Sequence, residues 1–238
     1  MLADTGTALS KRILILRKGY FVLGRDDMDI LGRWLSNLVN LENLDLSDND
    51  IREASDEFPE QLAKLTNLTR LNLSATGLRK STFRKVGSAL KAMPNLKQLH
   101  LAENDVGEAI VDIADGLKGL SELTWLNLEE CEMESDGVEA LTGAFDGLSN
   151  LTNFYLHGNS KITPSGVDVL FQNLHRLQKL ECLEMRGLEI VYEPCSRLVK
   201  ECFDVLKWRP FQYDGCDKVV LDKVNSEDVK KIASASGS

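Results

Sequence analysis

The residues in this sequence that could support chemistry are its histidines, its cysteines and a group of glutamates in the middle of the chain. Three histidines and five cysteines are present, but no segment matches the metal-binding pattern H-E-x-x-H, the nucleophile pattern G-x-S-x-G, the redox pattern C-x-x-C or a glycine-rich phosphate loop. Glu103 and Glu130 could attract calcium, but no loop supplies the roughly six to eight oxygen ligands that calcium requires. The sequence therefore predicts no enzyme activity, no cofactor and no metal site.

The charge of the chain restricts the class of partner. The formal net charge is -9 and the sequence pI is about 5.0. Because nucleic-acid binding needs a basic face that neutralises phosphates, this charge argues against a nucleic-acid partner, and it argues against an anionic membrane for the same reason. The odd number of unclustered cysteines indicates a reducing compartment, so we expect a cytoplasmic protein.

The elements that position these residues are set by a repeat. The segment Leu41–Ile51, LENLDLSDNDI, fits L-x-x-L-x-L-x-x-N-x-L, which is the leucine-rich repeat signature. The same pattern recurs at intervals of about 27 to 30 residues, which is long enough for a strand, a loop and a helix in each copy. The copies begin at Lys11, Leu41, Leu68, Leu96, Leu123, Leu151, Leu180 and Trp208.

A second periodicity predicts the helices. Between the strand segments, apolar residues recur with spacings of three, four and three, as expected for one buried helix face. Phe83, Val86 and Leu90 are one such set, whereas the second copy keeps Phe58 and Leu62 but has Ser55 at its first place. The sequence thus predicts an α/β fold: a right-handed leucine-rich repeat solenoid, or horseshoe, with a concave parallel β-sheet and convex α-helices.

This register gives one domain over residues 1–238. Residues 1–40 form an atypical first repeat, residues 41–179 form the regular repeats, and residues 180–238 form atypical repeats and a C-terminal cap. In that last part we expect an eighth strand at Trp208–Cys216, followed by Val219, Val220 and Leu221 covering the open core.

The ninth position of each inner copy predicts a structural role for a buried side chain. It holds asparagine in most copies, for example Asn104, and Cys131 in one. A side chain there turns inward and satisfies backbone groups that the tight turn leaves unpaired. We therefore interpret Cys131 as a turn residue and not as a nucleophile.

The first copy carries an apolar run, Ile13–Leu16, that is flanked by basic residues and reads as a strand, not as a signal peptide or a membrane span. In the repeat register, Ile13 and Ile15 point to the concave face while Leu14 and Leu16 enter the core. An upstream repeat or domain could pack on this edge. The alternative is that residues 1–10 fold back over it as a cap.

The concave face is where we expect recognition. Strands stack about 4.8 Å apart, so equivalent variable positions form rows, and His100, Trp125, Tyr155 and His157 crowd into the fourth to sixth copies beside several glutamates. Exposed Trp and Tyr are enriched among the residues that dominate protein interfaces. The alternative is that Trp125 only shields neighbouring strands and that the glutamates are solvated. The candidate partner-binding residues are Gln98, His100, Trp125, Asn127, Glu129, Glu130, Asn153, Tyr155, His157, Glu184 and Arg186.

The repeats also resemble a known family. Their length, together with the G-V-x-x-L segments Gly137–Leu141 and Gly166–Leu170, resembles the ribonuclease-inhibitor-like class. The segment Asn159–Val167, NSKITPSGV, is similar to an N-x-K-I-T-x-x-G segment in the leucine-rich regions of NOD-like receptors. This resemblance implies the ligand-sensing or autoinhibitory region of a cytosolic innate immune receptor, with a protein or peptide ligand.

Two other functions remain open from the sequence. One is a free-standing inhibitor or adaptor whose acidic concave face captures a basic protein. The other is an extracellular immune or adhesion ectodomain, which glycans at Asn67 or Asn150 would favour, as would a disulfide among Cys195, Cys202 and Cys216.

Overall fold

The computed structural model describes residues 12–16, 23–55 and 57–185, together with the backbone of Val219–Val220. Its strands form one parallel eight-stranded sheet in which each strand pairs with the next one along the chain. The strands are β1 (Ile13–Ile15), β2 (Asn43–Asp45), β3 (Arg70–Asn72), β4 (Gln98–His100), β5 (Trp125–Asn127), β6 (Asn153–Tyr155), β7 (Cys182–Glu184) and β8 (Val219–Val220).

Helices connect the strands along the convex side. They are α1 (Arg25–Leu35), α2 (Phe58–Leu62), α3 (Lys80–Leu90), α4 (Ile110–Leu117), α5 (Ser135–Thr142) and α6 (Pro164–Asn173), with 3₁₀ turns at Gly107–Ala109, Phe145–Gly147 and Leu174–Arg176. The alternation of short strands and helices confirms the predicted leucine-rich repeat solenoid.

The strand register confirms the repeat alignment. Leu71 pairs with Leu44 on one side and with Leu99 on the other, and these three leucines occupy the same position of successive copies. One continuous core lies between the sheet and the helices. The signature leucines of the second to sixth copies and the predicted helix positions Phe83, Val86 and Leu90 are fully buried there.

The ninth-position residues satisfy the backbone of the turns, as predicted. The Asn104 side-chain amide donates to the carbonyls of Leu73 (2.8 Å), Leu101 (2.9 Å) and Ala102 (3.0 Å). Its carbonyl oxygen accepts from the backbone N–H groups of Thr76 and Gly77, both at 3.0 Å. Asn104 therefore links the third repeat to the fourth.

Asn49 and Asn159 make the same kind of bridge to the repeats before them. We call this set of ninth-position residues the asparagine ladder: Asn49, Thr76, Asn104, Cys131 and Asn159. In it, the Cys131 thiol donates to the Leu101 carbonyl at 3.3 Å, and burial raises its pKa well above the usual range. A thiol held protonated in the core is a poor nucleophile, which supports the structural role predicted for Cys131.

The first strand shows one correction. Ile13 and Ile15 are exposed, at 59% and 52%, and Leu14 packs against the core, in agreement with the predicted orientation. Leu16, however, is 38% exposed, so the prediction that it enters the core is wrong. Its position differs from that of inner leucines because β1 lies at the edge of the sheet, where no described strand covers the outer side.

The last strand shows another correction. The strand that pairs with β7 is Val219–Val220, with Val219 opposite Leu183 and Val220 opposite Glu184. The predicted eighth strand, Trp208–Cys216, lies outside the described part of the chain. Two β-branched valines suit a strand.

Two glycines allow α3 and α4 to approach closely. A Cβ atom on Gly87 would lie 2.3 Å from the carbonyl oxygen of Asp112, and one on Gly116 would lie 2.2 Å from the carbonyl oxygen of Gly87. We expect Gly87→Ala to lower the free energy of unfolding by about 1–3 kcal/mol, because the helices must move apart. Urea denaturation measures this loss. Gly119→Ala is the matched control, since its Cβ would meet nothing within 4 Å, and equal stabilities for the two variants would contradict the prediction.

Candidate protein-binding surface

The structure brings the predicted site residues onto one face of the solenoid. Gln98, Trp125 and Asn153 are neighbours at the first residue of β4, β5 and β6, and His100, Asn127, Tyr155 and Glu184 are neighbours at the last residue of β4 to β7. Glu129, Glu130 and His157 follow their strands. Arg186 lies outside the described residues. This set defines the concave patch.

An aromatic stack runs across the centre of the patch. The Trp125 ring lies 4.9 Å from the Tyr155 ring, centroid to centroid, with an interplanar angle of 28°, and 6.0 Å from the His100 ring at 34°. Trp125 is on the strand between these neighbours, and its ring is stacked on the Tyr155 ring and tilted against the His100 ring. Stacked pairs of this kind contribute about 0.5–1.5 kcal/mol beyond the area they bury.

The stack changes the role expected for Tyr155. Its side chain is buried, at 8% exposure, and not exposed as predicted, because Trp125 covers it on one side and Cys182 approaches its hydroxyl to 3.9 Å on the other. The Trp125 side chain remains partly exposed to solvent. The shielding role that the sequence left as an alternative therefore applies to the ring faces of Trp125.

Beside the stack, a histidine lies between two carboxylates. The Nε2 atom of His157 contacts the Glu129 carboxylate, and its Nδ1 atom is 3.9 Å from the Glu184 carboxylate. The three side chains are 17%, 27% and 13% exposed, respectively. Charges this far out of water interact more strongly than exposed pairs, so this cluster fixes negative charge near the stack.

Several buried polar atoms of the concave face have no hydrogen-bond partner among the described residues. They are Asn43 Oδ1, Arg70 Nε, Trp125 Nε1 and His157 Nδ1. Buried polar atoms are almost always paired in folded proteins, and leaving one unpaired costs about 1–3 kcal/mol.

Sequence reasoning missed two of these residues. Asn43 and Arg70 occupy the same repeat position as Trp125 in the second and third copies, and that shared position was the signal that could have identified them. Next to them, Asp45 is only 1% exposed and accepts hydrogen bonds from the Ser47 backbone (3.1 Å) and hydroxyl (2.7 Å), with Arg70 Nη2 at 3.9 Å. The charge of Asp45 is thus satisfied within the protein.

Two carboxylates stand at the rim of the concave patch. Glu103 and Glu130 follow β4 and β5, are exposed, and have left-handed backbone angles (φ of 56° and 48°). Among the described residues neither forms an ion pair. They line a rim groove whose walls are Glu103, Asn104, Asp105, Glu130, Glu132 and Gly158. Asp105 and Glu132 in that groove are paired with Lys80 (3.1 Å) and Lys161 (2.9 Å).

Within the part of the chain that the structure describes, no group of three or more His, Cys, Asp or Glu side chains has the geometry of a metal site. The arrangement instead offers an apolar stack, fixed negative charge and unpaired hydrogen-bonding atoms on one curved face. Those are the features of a recognition surface.

Comparison with known proteins agrees with the repeat architecture. The family model described as "Leucine Rich Repeat" matches residues 40–65. The chain is 28% identical over 138 residues to human NACHT, LRR and PYD domains-containing protein 5, covering 57% of this chain and 11% of that protein. It is also 28% identical over 161 residues to the ribonuclease inhibitor of Sus scrofa, covering 66% of this chain and 34% of the inhibitor.

A solved structure has a similar fold. Leiomodin-1 actin-binding site 2 superposes with a TM-score of 0.53 at 19% sequence identity, covering 63% of this chain and 85% of that one. At this identity the likeness concerns the fold alone. The chain spans only a minor part of the two sequence relatives named above. Together with the repeated strand–helix units and the asparagine ladder, these similarities show that the chain is a leucine-rich repeat solenoid that resembles ribonuclease inhibitor and the leucine-rich regions of NACHT, LRR and PYD domain proteins.

Proposed function

We propose that this leucine-rich repeat scaffold is the ligand-sensing and autoinhibitory region of a cytosolic innate immune receptor, and that it binds a protein or peptide through its concave face. The observation that carries the binding site is the Trp125 ring, which lies partly exposed on that face between His100 and Tyr155, because exposed Trp residues often dominate protein interfaces.

The receptor assignment is supported by sequence similarity to NACHT, LRR and PYD domains-containing proteins. We also propose that an upstream domain or repeat packs on the edge of β1, where Leu14 is only partly buried and Leu16 is 38% exposed. Among the described residues, no helix has the length and apolar character needed to span a bilayer. The full-length transcript tests this assignment: we expect a nucleotide-binding domain upstream of the repeats, and a transcript without one would contradict the receptor role.

A free-standing inhibitor or adaptor is the second candidate. The carboxylates of Glu103, Glu129, Glu130 and Glu184 favour it, as does similarity to ribonuclease inhibitor. Salt dependence separates the candidates, because capture by charge weakens steeply with ionic strength whereas contacts anchored by aromatic residues do not.

An extracellular role has less support. The Asn67 amide donates to the Val39 carbonyl (2.8 Å) and the Asn150 amide to the Ser121 carbonyl (2.7 Å), so both acceptor side chains bridge neighbouring repeats. A third acceptor asparagine, Asn72, is 4% exposed. The cysteines that could form a disulfide, Cys195, Cys202 and Cys216, lie outside the described residues.

The concave site is tested by Trp125→Ala. We expect the variant to lose the partners that the wild-type chain retains from cytosolic extract, because interface Trp residues often contribute about 2 kcal/mol or more to binding. The free energy of unfolding should fall by only about 1–2 kcal/mol, since the two ring contacts are lost without opening the core. Pull-down with quantitative mass spectrometry measures retention, and circular dichroism measures stability.

Val111→Ala is the matched control for this experiment, because Val111 is a 51% exposed apolar residue on the convex helix α4. It should retain the same partners as the wild type. If Trp125→Ala keeps them and Val111→Ala loses them, the binding surface is on the convex side and the proposed site is wrong.

A further inference from the structure

A short basic segment lies on the convex side of this acidic chain. Residues 79–85 read R-K-S-T-F-R-K and contain four basic residues and no acidic one, whereas the whole chain has a formal net charge of -9. The segment spans the end of the loop before α3 and the first turns of that helix. A hydroxyl side chain with basic residues on both sides is the charge pattern that one class of protein kinases recognises in its substrates.

The segment presents one accessible hydroxyl. Ser81 is exposed, and within the described part of the chain its side chain forms no hydrogen bond. Thr82, the other hydroxyl residue of the segment, is only 2% exposed. A kinase that binds the folded chain can therefore reach Ser81 but not Thr82.

The basic side chains around this hydroxyl are accessible as well. Arg79, Lys80 and Arg84 are 48%, 43% and 50% exposed. Two of them pair with carboxylates of neighbouring repeats, Arg79 with Glu53 at 2.8 Å and Lys80 with Asp105 at 3.1 Å. Because exposed ion pairs are weak, the acidic substrate groove of a kinase can replace these partners.

Two other serines have a basic residue three positions before them, but each lies at the wrong end of a helix. The Ser36 hydroxyl donates to the Arg33 carbonyl at 2.8 Å, at the C-cap of α1. Ser88, which follows Lys85, lies in the last turn of α3. The carbonyls at a helix C-terminus repel a phosphate, whereas Ser81 is in the first turn of α3.

From these features we infer that Ser81 is a phosphorylation site for a protein kinase that recognises basic residues. In the transfer, the Ser81 Oγ forms a bond to the γ-phosphorus of ATP, and the bond from that phosphorus to the bridging oxygen breaks. ADP leaves with the bonding electrons, and the hydroxyl proton passes to the catalytic base of the kinase. Since α3 is on the convex side, this inference goes beyond the concave binding proposed above and does not depend on it.

A phosphate on Ser81 is expected to stabilise α3. The first turn of this helix has no acidic residue, although α1, α4 and α5 each have at least one aspartate there. Helical spacing of three and four places Arg84 and Lys85 on the same face as Ser81. The phosphate can thus accept charge-assisted hydrogen bonds from these side chains and from N–H groups of the first turn.

The site is tested with the folded chain, ATP and two purified kinase catalytic domains, one that prefers basic flanking residues and one that prefers acidic ones. We expect only the first kinase to transfer phosphate, and peptide mass spectrometry should place that phosphate on Ser81. Ser81→Ala should lose the incorporation. Ser88→Ala is the matched control, because Ser88 is an exposed serine of the same helix, and it should be phosphorylated as fast as the wild type.

A synthetic peptide of residues 76–88 serves as the control for accessibility. If the first kinase phosphorylates the peptide but not the folded chain, the fold hides Ser81 and the inference is wrong. Phosphate on another residue of the folded chain, or no phosphate on either substrate, would also overturn it.

The effect on the helix is measured separately by scanning calorimetry. We expect the phosphorylated chain to melt about 1–4 °C above the unmodified chain, and this difference should shrink at high salt because charges are screened. A lower melting temperature after phosphorylation would refute the stabilising contacts in the first turn of α3.

Discussion

Replacing Asn104 by alanine is expected to lower the free energy of unfolding by about 3 kcal/mol or more, since several buried backbone groups lose their partner and each costs about 1–3 kcal/mol when unpaired. The Asn104 side chain is 3% exposed, and it forms hydrogen bonds with carbonyls and N–H groups of two successive repeats. Water that enters the vacated space would recover only part of this loss, because the site is enclosed by the core.

Urea denaturation followed by circular dichroism measures the effect, and the chain supplies its own control. Cys131 occupies the equivalent position of the next copy and still donates to the Leu101 carbonyl, so Asn104→Cys should be less destabilising than Asn104→Ala. A loss below about 1 kcal/mol for Asn104→Ala would mean that the amide does not hold the turns together.

Leu101→Ala is expected to lower the free energy of unfolding by about 2–5 kcal/mol, because it leaves a cavity in a continuous core. Leu101 is fully buried at the inward position that follows β4. The neighbouring repeats on both sides limit how far the structure can collapse around the vacancy, which places the expected loss well above that of a surface change.

Denaturant titration measures this loss. The slope of the free energy of unfolding against denaturant concentration should stay unchanged, as expected when only stability changes. Val111→Ala on α4 is the reference for a surface position and should change stability by less than about 0.5 kcal/mol. Similar values for the two variants would show that the repeat register has been assigned wrongly.

The core could be predicted because two periodicities must coincide. The strand signature places Leu99 and Leu101, and the helix spacing places Phe83 and Val86; since both sets must face the same interior, only one register satisfies them. A local exception was also visible: Ser55 interrupts the apolar spacing of the second copy, and helix α2 there begins only at Phe58 and has five residues.

The ends of the sheet and the details of the site could not be predicted in this way. Leu16 follows the repeat pattern but has no described strand on its outer side, and a sequence pattern carries no information about such neighbours. The repeat register placed Trp125 and Tyr155 on adjacent strands, yet the stacking that buries Tyr155 depends on which way each ring leans. The unpaired atoms of Asn43 and Arg70 likewise result from side-chain orientation.

The asparagine ladder also bears on how often the protein opens locally. Because Asn104 and Asn159 each bond to the preceding repeat as well as to their own, neighbouring repeats in the middle of the chain cannot separate without breaking bonds in both. Amide hydrogen exchange should therefore be slowest in β4 to β6 and faster at β1. The strands that carry the aromatic stack are then the ones that fluctuate least. A ligand that binds there therefore causes only a small loss of conformational entropy in the protein.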